Sequence, residues 1–476
     1  MEIPNTLAKN TLFSLISFGA RFLLLSIVVF RIARVVGVES FGVFTFSQSF
    51  TALFVILADF GLSTYVTREV AQKNPFVLTN FGTILKMKAL LSLLTLLFVH
   101  SSTSLIGYQE TIAQTVFYLM VAVVFDNFIN LVICYYRGLE RFQFEALITA
   151  YNSLILFGLV MFVLHDFDGE IVLVAQAYAL SRLLALVLTG FVARDLFRTG
   201  RGVAWACMPG LLKQASPYAI QILFGVIYFQ IDTVMLKHLR NSYEVGIYQA
   251  AMRLVVVGLI FVEIIQNAFF PTVSRLYKES FDNMKRVMVK MNKYLITIGL
   301  SLTVILFTSA SSLISFVYGP AYEASGSLLA LLSLLLVIRF AATTFGVVLT
   351  AAGKQNQRMA ATMTASFFNI VLNYFLIPRY GFMGAAIATL LTNVLVFSIL
   401  LTYSLRIVPS LFLDKKAVNI VLMCTSLALV GLGLREQSIF LVGGVLALFF
   451  LVASYFMVLE DHERELIAEY LAKVMR

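Results

Sequence analysis

Eight charged side chains lie inside apolar runs of this 476-residue chain: Arg21, Asp59, Asp126, Arg182, Asp232, Arg253, Glu263 and Arg339. At the centre of a lone membrane helix each would cost ~2.5–3.5 kcal/mol, so the set would cost roughly 20–28 kcal/mol. That exceeds the stability of an ordinary fold, so these groups must face one another or water. Their types define the chemistry on offer. The four arginines present planar forks of donors suited to phosphate oxygens. The four carboxylates, in dry or half-wet surroundings, can take up H+ or Na+. The same residues could instead form buried arginine–carboxylate pairs that fix helix register. Gln221, Gln230, Asn127 and Asn130 add neutral polar groups at similar depth. They suit contacts to a sugar, and equally suit hydrogen bonds between helices.

The elements that must position these groups are membrane helices. The stretch from Leu211 to Arg253 shows the pattern: a basic start, an apolar run holding Gln221, Gln230 and Asp232, then a turn into a second apolar run carrying Arg253. Hydrophobic residues make up 60 % of the chain and charged residues only 13 %, against roughly 25 % charged in soluble domains. The apolar runs divide into about fourteen segments of spanning length. Little chain is left for a soluble domain. The expected fold is therefore an all-α integral membrane protein. Arg21 interrupts the first apolar run and no small-residue cleavage site follows it, so that helix is expected to be retained.

The net charge of +10 has a cheap explanation in this setting. With fourteen spans, 25 of the 35 lysines and arginines, Lys88 and Lys293 among them, fall on the side of the N-terminus and 6 on the other. That asymmetry places both termini in the cytoplasm and removes nucleic acid as a partner. Val273 to Lys293 carries apolar residues at helical spacing between basic ones and is expected to lie along the inner membrane surface. The segment from Glu460 to Arg476 is expected to be a solvated polar helix, with partner docking as the alternative.

A weak internal repeat runs at an offset of 204 residues, matching Phe41-Gly42-Val43-Phe44 to Val245-Gly246-Ile247-Tyr248 and Asp59 to Glu263. It divides the chain into a first six-helix lobe over 1–195, a cytoplasmic linker over 196–213 and a second lobe over 214–405. Two further helices and the cytoplasmic tail occupy 406–476. Both lobes start in the cytoplasm, so they run parallel, as in one class of secondary transporter.

No phosphate-binding loop of the GxxxxGK[ST] type is present, and no HExxH or metal-spaced His/Cys cluster. Cofactors are expected to be none beyond a coupling ion. Cys134, Cys207 and Cys424 are scattered and odd in number, which suits buried inert thiols.

Four segments resemble the polysaccharide flippases of the multidrug/oligosaccharidyl-lipid/polysaccharide exporter superfamily. They are LLKQASPYAI…YFQIDTVMLKHLRNSYEVGIYQAAMRLV, YVTREVAQK, YYRGLERFQFEA and AAGKQNQRMAATMTASFFNIVLNYFLIPRYGFMGAAIAT. The resemblance implies two pseudo-symmetric six-helix lobes around a central cavity of alternating opening, plus two C-terminal helices. It implies a cargo of oligosaccharide on a polyprenyl pyrophosphate, such as an O-antigen, capsule or exopolysaccharide repeat unit. It also implies an inner-membrane location beside the glycosyltransferases and polymerase of one pathway. The related lipid II flippases carry cavity arginines on their first and eighth helices, and Arg21 and Arg253 occupy similar places. Arg182 and Arg339 match no family motif and are candidates from burial alone.

The candidate cargo site is thus Arg21, Arg253, Arg182 and Arg339 with Gln221, Gln230 and Asn127. Asp59, Asp126, Asp232 and Glu263 are the candidates for coupling to H+ or Na+. Three rival readings are a drug or cation antiporter of the same superfamily, a membrane-embedded glycan polymerase or glycosyltransferase, and a non-transporting membrane scaffold, which loss of the charged interior would favour. Four buried arginines disfavour a cationic cargo. A polymerase would be expected to carry a sizeable catalytic loop, and no loop here has room for one.

Overall fold

The computed structural model describes residues 5–167, 169–194, 196, 208–414, 416–434, 439–459, 461 and 463–465, with side chains from residue 21 onward except 439–441. Most of the expected 196–213 linker and of the 460–476 tail lies outside the described residues, as does Cys207.

The described chain is helical throughout. In order it forms α1 (Asn5–Asp59), α2 (Leu62–Ala71), α3 (Pro75–Thr79), α4 (Phe81–Ile106), α5 (Glu110–Gly138), α6 (Phe142–Asp166) and α7 (Ile171–Val192). Then follow α8 (Met208–Leu239), α9 (Ser242–Glu279), α10 (Phe281–Thr308), α11 (Ala310–Tyr318), α12 (Ala324–Ala351), α13 (Gln355–Leu405), α14 (Ala417–Gly433) and α15 (Ile439–Ala453). Nine of these are long and apolar enough to cross a membrane. α1 is divided at Gly37 (φ 79°) and α13 at Gly381 (φ 56°), left-handed positions where glycine carries no Cβ penalty. The fourteen expected spans correspond to the two segments of α1, α4 to α10, α12, the two segments of α13, and α14 with α15.

Backbone proximity divides the chain into two units, residues 1–246 and 247–476. In the first unit α5 packs along α7, and α1 lies against α4, α5, α6 and α8. The matched glycines of the repeat acquire a physical reason there. A Cβ on Gly42 would collide with the Ser242 carbonyl, and one on Gly246 with the Val38 carbonyl. Two backbones therefore meet directly, as small residues allow between membrane helices.

In the second unit α12 packs between α10 and α13, and α14 lies on α10. A π-helical turn over Ser454–Val458 ends α15. Groups from elsewhere in this unit take its carbonyls: Asn419 donates to Met457, Lys416 to Leu459, and Arg464 to Tyr455 and Phe456.

Two expectations are corrected. The stretch 273–293 is not a helix lying on the membrane surface. It is the end of α9 and the start of α10, divided at Ser280, and Val273, Met284, Met288 and Met291 are fully buried in protein. Lys293 is buried and meets Glu463 at 2.9 Å. Glu463 itself is buried, held also by Lys290 (3.0 Å) and by the Tyr294 hydroxyl (2.5 Å), so this part of the tail is anchored rather than solvated. α1 ends at Asp59 because the chain turns left-handed at Phe60 (φ 47°) and Gly61 (φ 75°) before α2 begins.

Candidate functional site

The polar interior of the first unit is built on two ion pairs. Asp59, the last residue of α1, lies beside α4, and the Lys88 ammonium donates to its Oδ1 at 2.5 Å and to Ser63 Oγ at 2.9 Å. The Ser63 hydroxyl donates to the same carboxylate oxygen at 2.5 Å. Lys88 is 0 % exposed and the Asp59 side chain 12 %. Lys88 was expected among the cytoplasmic charges; the structure places it within α4. The signal that could have found it is a polar stripe. Lys88, Ser92, Thr95 and Thr103 recur at helical spacing and are all buried, while Leu90, Leu93, Leu94 and Leu97 face outward.

The second pair joins α5, α6 and α7. The Arg182 guanidinium is hydrogen-bonded to Asn152 Oδ1 and stands 3.5 Å from Asp126, while the Asn152 amide donates to Asp126 at 3.1 Å. Asn152 closes the triangle and was not singled out from sequence. Asp126 keeps a side-chain exposure of 40 %, so this pair has one wet edge. Asn127 is buried beside it, and its Nδ2 makes no hydrogen bond among the described residues.

The other candidates of this unit are not drawn into those clusters. Asp232 is buried in α8, Gln230 is half-buried, and Gln221 and Arg21 are exposed. In the second unit Arg253 and Arg339 are half-buried and Glu263 is exposed. Arg253 lies within electrostatic reach of the buried Tyr318 phenol. This unit also holds a ladder of neutral polar groups that sequence reasoning passed over. Asn373 donates to Asn369 at 3.0 Å, Asn393 donates to the Thr389 carbonyl at 2.7 Å, and the Tyr248 and Thr389 hydroxyls meet at 3.1 Å. Such groups satisfy one another where no water can. Among the described residues no cluster of three or more His, Cys, Asp or Glu could hold a metal ion.

The arrangement can do binding chemistry rather than bond-breaking chemistry. Cationic and amide groups are held at bilayer depth, and Asp59 and Asp126 each face a cation of the chain itself, Lys88 and Arg182. Comparison with known proteins agrees in kind. Residues 7–277 match the family described as polysaccharide biosynthesis protein, and residues 217–375 match the MatE family. A Haloferax volcanii protein named as a low-salt glycan biosynthesis flippase, Agl15, is 22 % identical over 385 residues, covering 79 % of this chain and 78 % of its own length. An Escherichia coli K12 protein named as an O-antigen transporter is 23 % identical over 417 residues, covering 84 % of this chain and 96 % of its own. Among solved structures, the lipid II flippase MurJ in an inward closed conformation superimposes with a TM-score of 0.75 at 14 % identity. It covers 96 % of this chain and 100 % of that one, a likeness of fold. With one family model spanning more than half its length, this membrane protein belongs to the polysaccharide biosynthesis protein family of the multidrug/oligosaccharidyl-lipid/polysaccharide exporter superfamily.

Proposed function

We propose that the protein is a flippase that moves an oligosaccharide on a polyprenyl pyrophosphate from the cytoplasmic to the outer leaflet by alternating access. It acts as a secondary transporter and not as an enzyme. The observation that carries the reading is the near full-length similarity to a glycan flippase and an O-antigen transporter. The arginines at bilayer depth supply the matching chemistry. Arg21 and Arg253 are assigned foremost to the pyrophosphate. Arg339 and the amides of Gln221, Gln230 and Asn127 are assigned to the rest of the head group. Arg182 takes a lesser part, because Asp126 and Asn152 already occupy much of its fork.

No bond is broken in such a step, so no catalytic residue is required. With the inside negative, moving a head group of about −2 outward gains ~4–5 kcal/mol per 100 mV. Coupling to H+ or Na+ is assigned to the carboxylates. A cation arriving at Asp59 must displace the Lys88 ammonium, and one arriving at Asp126 the Arg182 guanidinium. Coupling there is an exchange of partners, whereas Asp232 and Glu263 are the other two candidate positions. The protein is placed in the cytoplasmic membrane with both termini inside. The glycosyltransferases and polymerase of one glycan pathway are its proposed neighbours.

The MatE match over 217–375 favours the antiporter as the second reading. A cationic cargo wants uncompensated acid, and in the first unit Asp59 and Asp126 each already face a cation of the chain itself. Arg253→Ala decides the matter. In a host lacking its own flippase, glycan export is expected to fall to background while the variant still inserts in the membrane. Full export by the inserted variant would remove the pyrophosphate role.

A further inference from the structure

Asp126, Asn152 and Arg182 sit near the middles of α5, α6 and α7, so the triangle they form lies near the bilayer midplane. Secondary transporters bind cargo at that depth. Leu147 and Leu154 on α6 face outward, as do Leu180, Leu184 and Leu188 on α7. Asn152 and Arg182 fall on the opposite sides of those helices, away from lipid. Asp126 is nonetheless 40 % exposed. An ionised carboxylate at that depth faces water rather than lipid, so its open edge looks onto a wet inner surface of the first unit.

The amide in the triangle is fixed from both ends. Asn152 Oδ1 accepts from Arg182 Nη1, and Asn152 Nδ2 donates to Asp126 Oδ1 at 3.1 Å. The Asn152 carbonyl accepts from the same Nη1 at 3.4 Å, and Arg182 Nε stands 3.5 Å from Asp126 Oδ1. Only one orientation of the amide satisfies both neighbours, so Asn152 holds the two charged groups in place. These contacts use Oδ1 of the acid and Nε and Nη1 of the guanidinium. Among the described residues, Asp126 Oδ2 accepts no hydrogen bond and Arg182 Nη2 makes none. One acceptor and one donor are left over, side by side on a rigid frame.

Such a pair selects its ligand by charge. A phosphate approaching Nη2 meets the Asp126 carboxylate, and a cation approaching Oδ2 meets the guanidinium. A neutral group that both donates and accepts gains from each. Sugar hydroxyls do this, and two adjacent hydroxyls of one ring suit an acceptor and a donor held together. Asn130, exposed one turn along α5 from Asp126, adds a further neutral amide on the same face.

We propose that Asp126, Asn152 and Arg182 form a sugar subsite for the head group of the cargo. Asp126 Oδ2 accepts from one hydroxyl of the glycan, Arg182 Nη2 donates to its neighbour, and Asn152 is the positioning residue for both. The proposal rests on the transport reading above and narrows the part given there to Asp126 and Arg182. They read the glycan rather than the pyrophosphate or a coupling ion.

The test uses the full chain in lipid nanodiscs, titrated with synthetic polyprenyl pyrophosphates. One is bare, and the others carry a single glucose, galactose or N-acetylglucosamine. The quantity read is the ratio of affinities, glycosylated over bare, on one preparation, which does not depend on the folded fraction. The parent should prefer at least one glycosylated carrier by about ten-fold or more. Asp126→Asn should cut that preference about ten-fold, the equivalent of one hydrogen bond to a charged group, and leave the affinity for the bare carrier within about two-fold. Asn152→Ala should lower the preference in the same way. If Asp126→Asn does not fold, Asp126→Asn/Arg182→Gln leaves no unpaired charge and carries the same expectation. A parent that binds bare and glycosylated carriers alike overturns the subsite. An unchanged preference in the variants overturns it too, as does tighter binding of the bare carrier by Asp126→Asn, which makes Arg182 a phosphate ligand. A parent that binds no carrier at all fails the transport reading, and the subsite with it.

Discussion

Replacing Lys88 by Met removes the ammonium that faces Asp59 and leaves the apolar stem of similar length. The side chain has 0 % exposure and its acid partner 12 %, so water cannot take over the lost contact. Only the Ser63 hydroxyl at 2.5 Å and its backbone N–H at 3.4 Å remain with the carboxylate. Breaking one side of a buried pair costs ~3–5 kcal/mol, a large share of a typical total of ~5–15 kcal/mol. Asp59→Asn strands the lysine instead and should cost a similar amount. The double variant Asp59→Asn/Lys88→Met leaves no buried charge and should return to within about 1 kcal/mol of the parent. The coupling between the two positions is then at least ~5 kcal/mol. Apparent melting midpoints of the detergent-purified protein, read by fluorescence-detected size exclusion at one fixed heating protocol, give the cycle. Both single variants should melt clearly below the parent, and the double should recover most of the loss. Equal midpoints for Lys88→Met and the parent, or a double variant as weak as the two singles combined, would refute the idea that the pair is a buried unit.

Other outcomes follow from named contacts. Gly42→Val should cut the amount of folded protein in the membrane and cost ~1–3 kcal/mol or more, because its side chain meets the Ser242 carbonyl; detergent thermal shifts measure this. Glu463→Gln should loosen the C-terminal segment, since Lys290, Lys293 and Tyr294 lose their common acceptor charge; faster proteolytic trimming from the C-terminus is the readout, and unchanged trimming counts against the anchor. Burial pushes the Tyr108 phenol up to about 12. The His238 Nδ1 faces the Val234 carbonyl at 2.8 Å and must carry the proton, so Tyr108 donates to Nε2 at 2.5 Å. With the folded value raised by burial above the ordinary ~10, the contribution of the neutral phenol is full below pH ~10 and is lost as pH rises toward about 12. Ultraviolet titrations of the parent and Tyr108→Phe should therefore coincide below pH 11, with the parent gaining one further phenolate only above it. Asp59→Asn and Glu263→Gln should each weaken any dependence of export on a proton or sodium gradient; unchanged dependence in both discards coupling through the repeat-matched acids.

Much of this was legible in the chain alone, and for one reason. The bilayer is a harsh and uniform solvent, so hydropathy fixes where helices run. The spans, the all-helical class and the family segments needed no coordinates. The demand that intramembrane charges be compensated was equally plain, since lipid offers no alternative. Which charge meets which was not legible. Asp59 and Lys88 stand 29 residues apart, and Asp126 and Arg182 stand 56 apart. Each pairing is made only when separate helices pack, and a rotation of either helix by one residue would break it. Lys88 was misplaced because a lysine near a span boundary costs nothing if it reaches the interface. Only the packing of α4 against α1 turned it inward. The apolar stripe at 273–291 misled for the mirror reason, because a helix face that lipid would accept is accepted just as well by neighbouring helices. Hydrophobicity is a scalar that each residue carries with it, whereas partnership is a relation between surfaces, and it exists only once those surfaces have met.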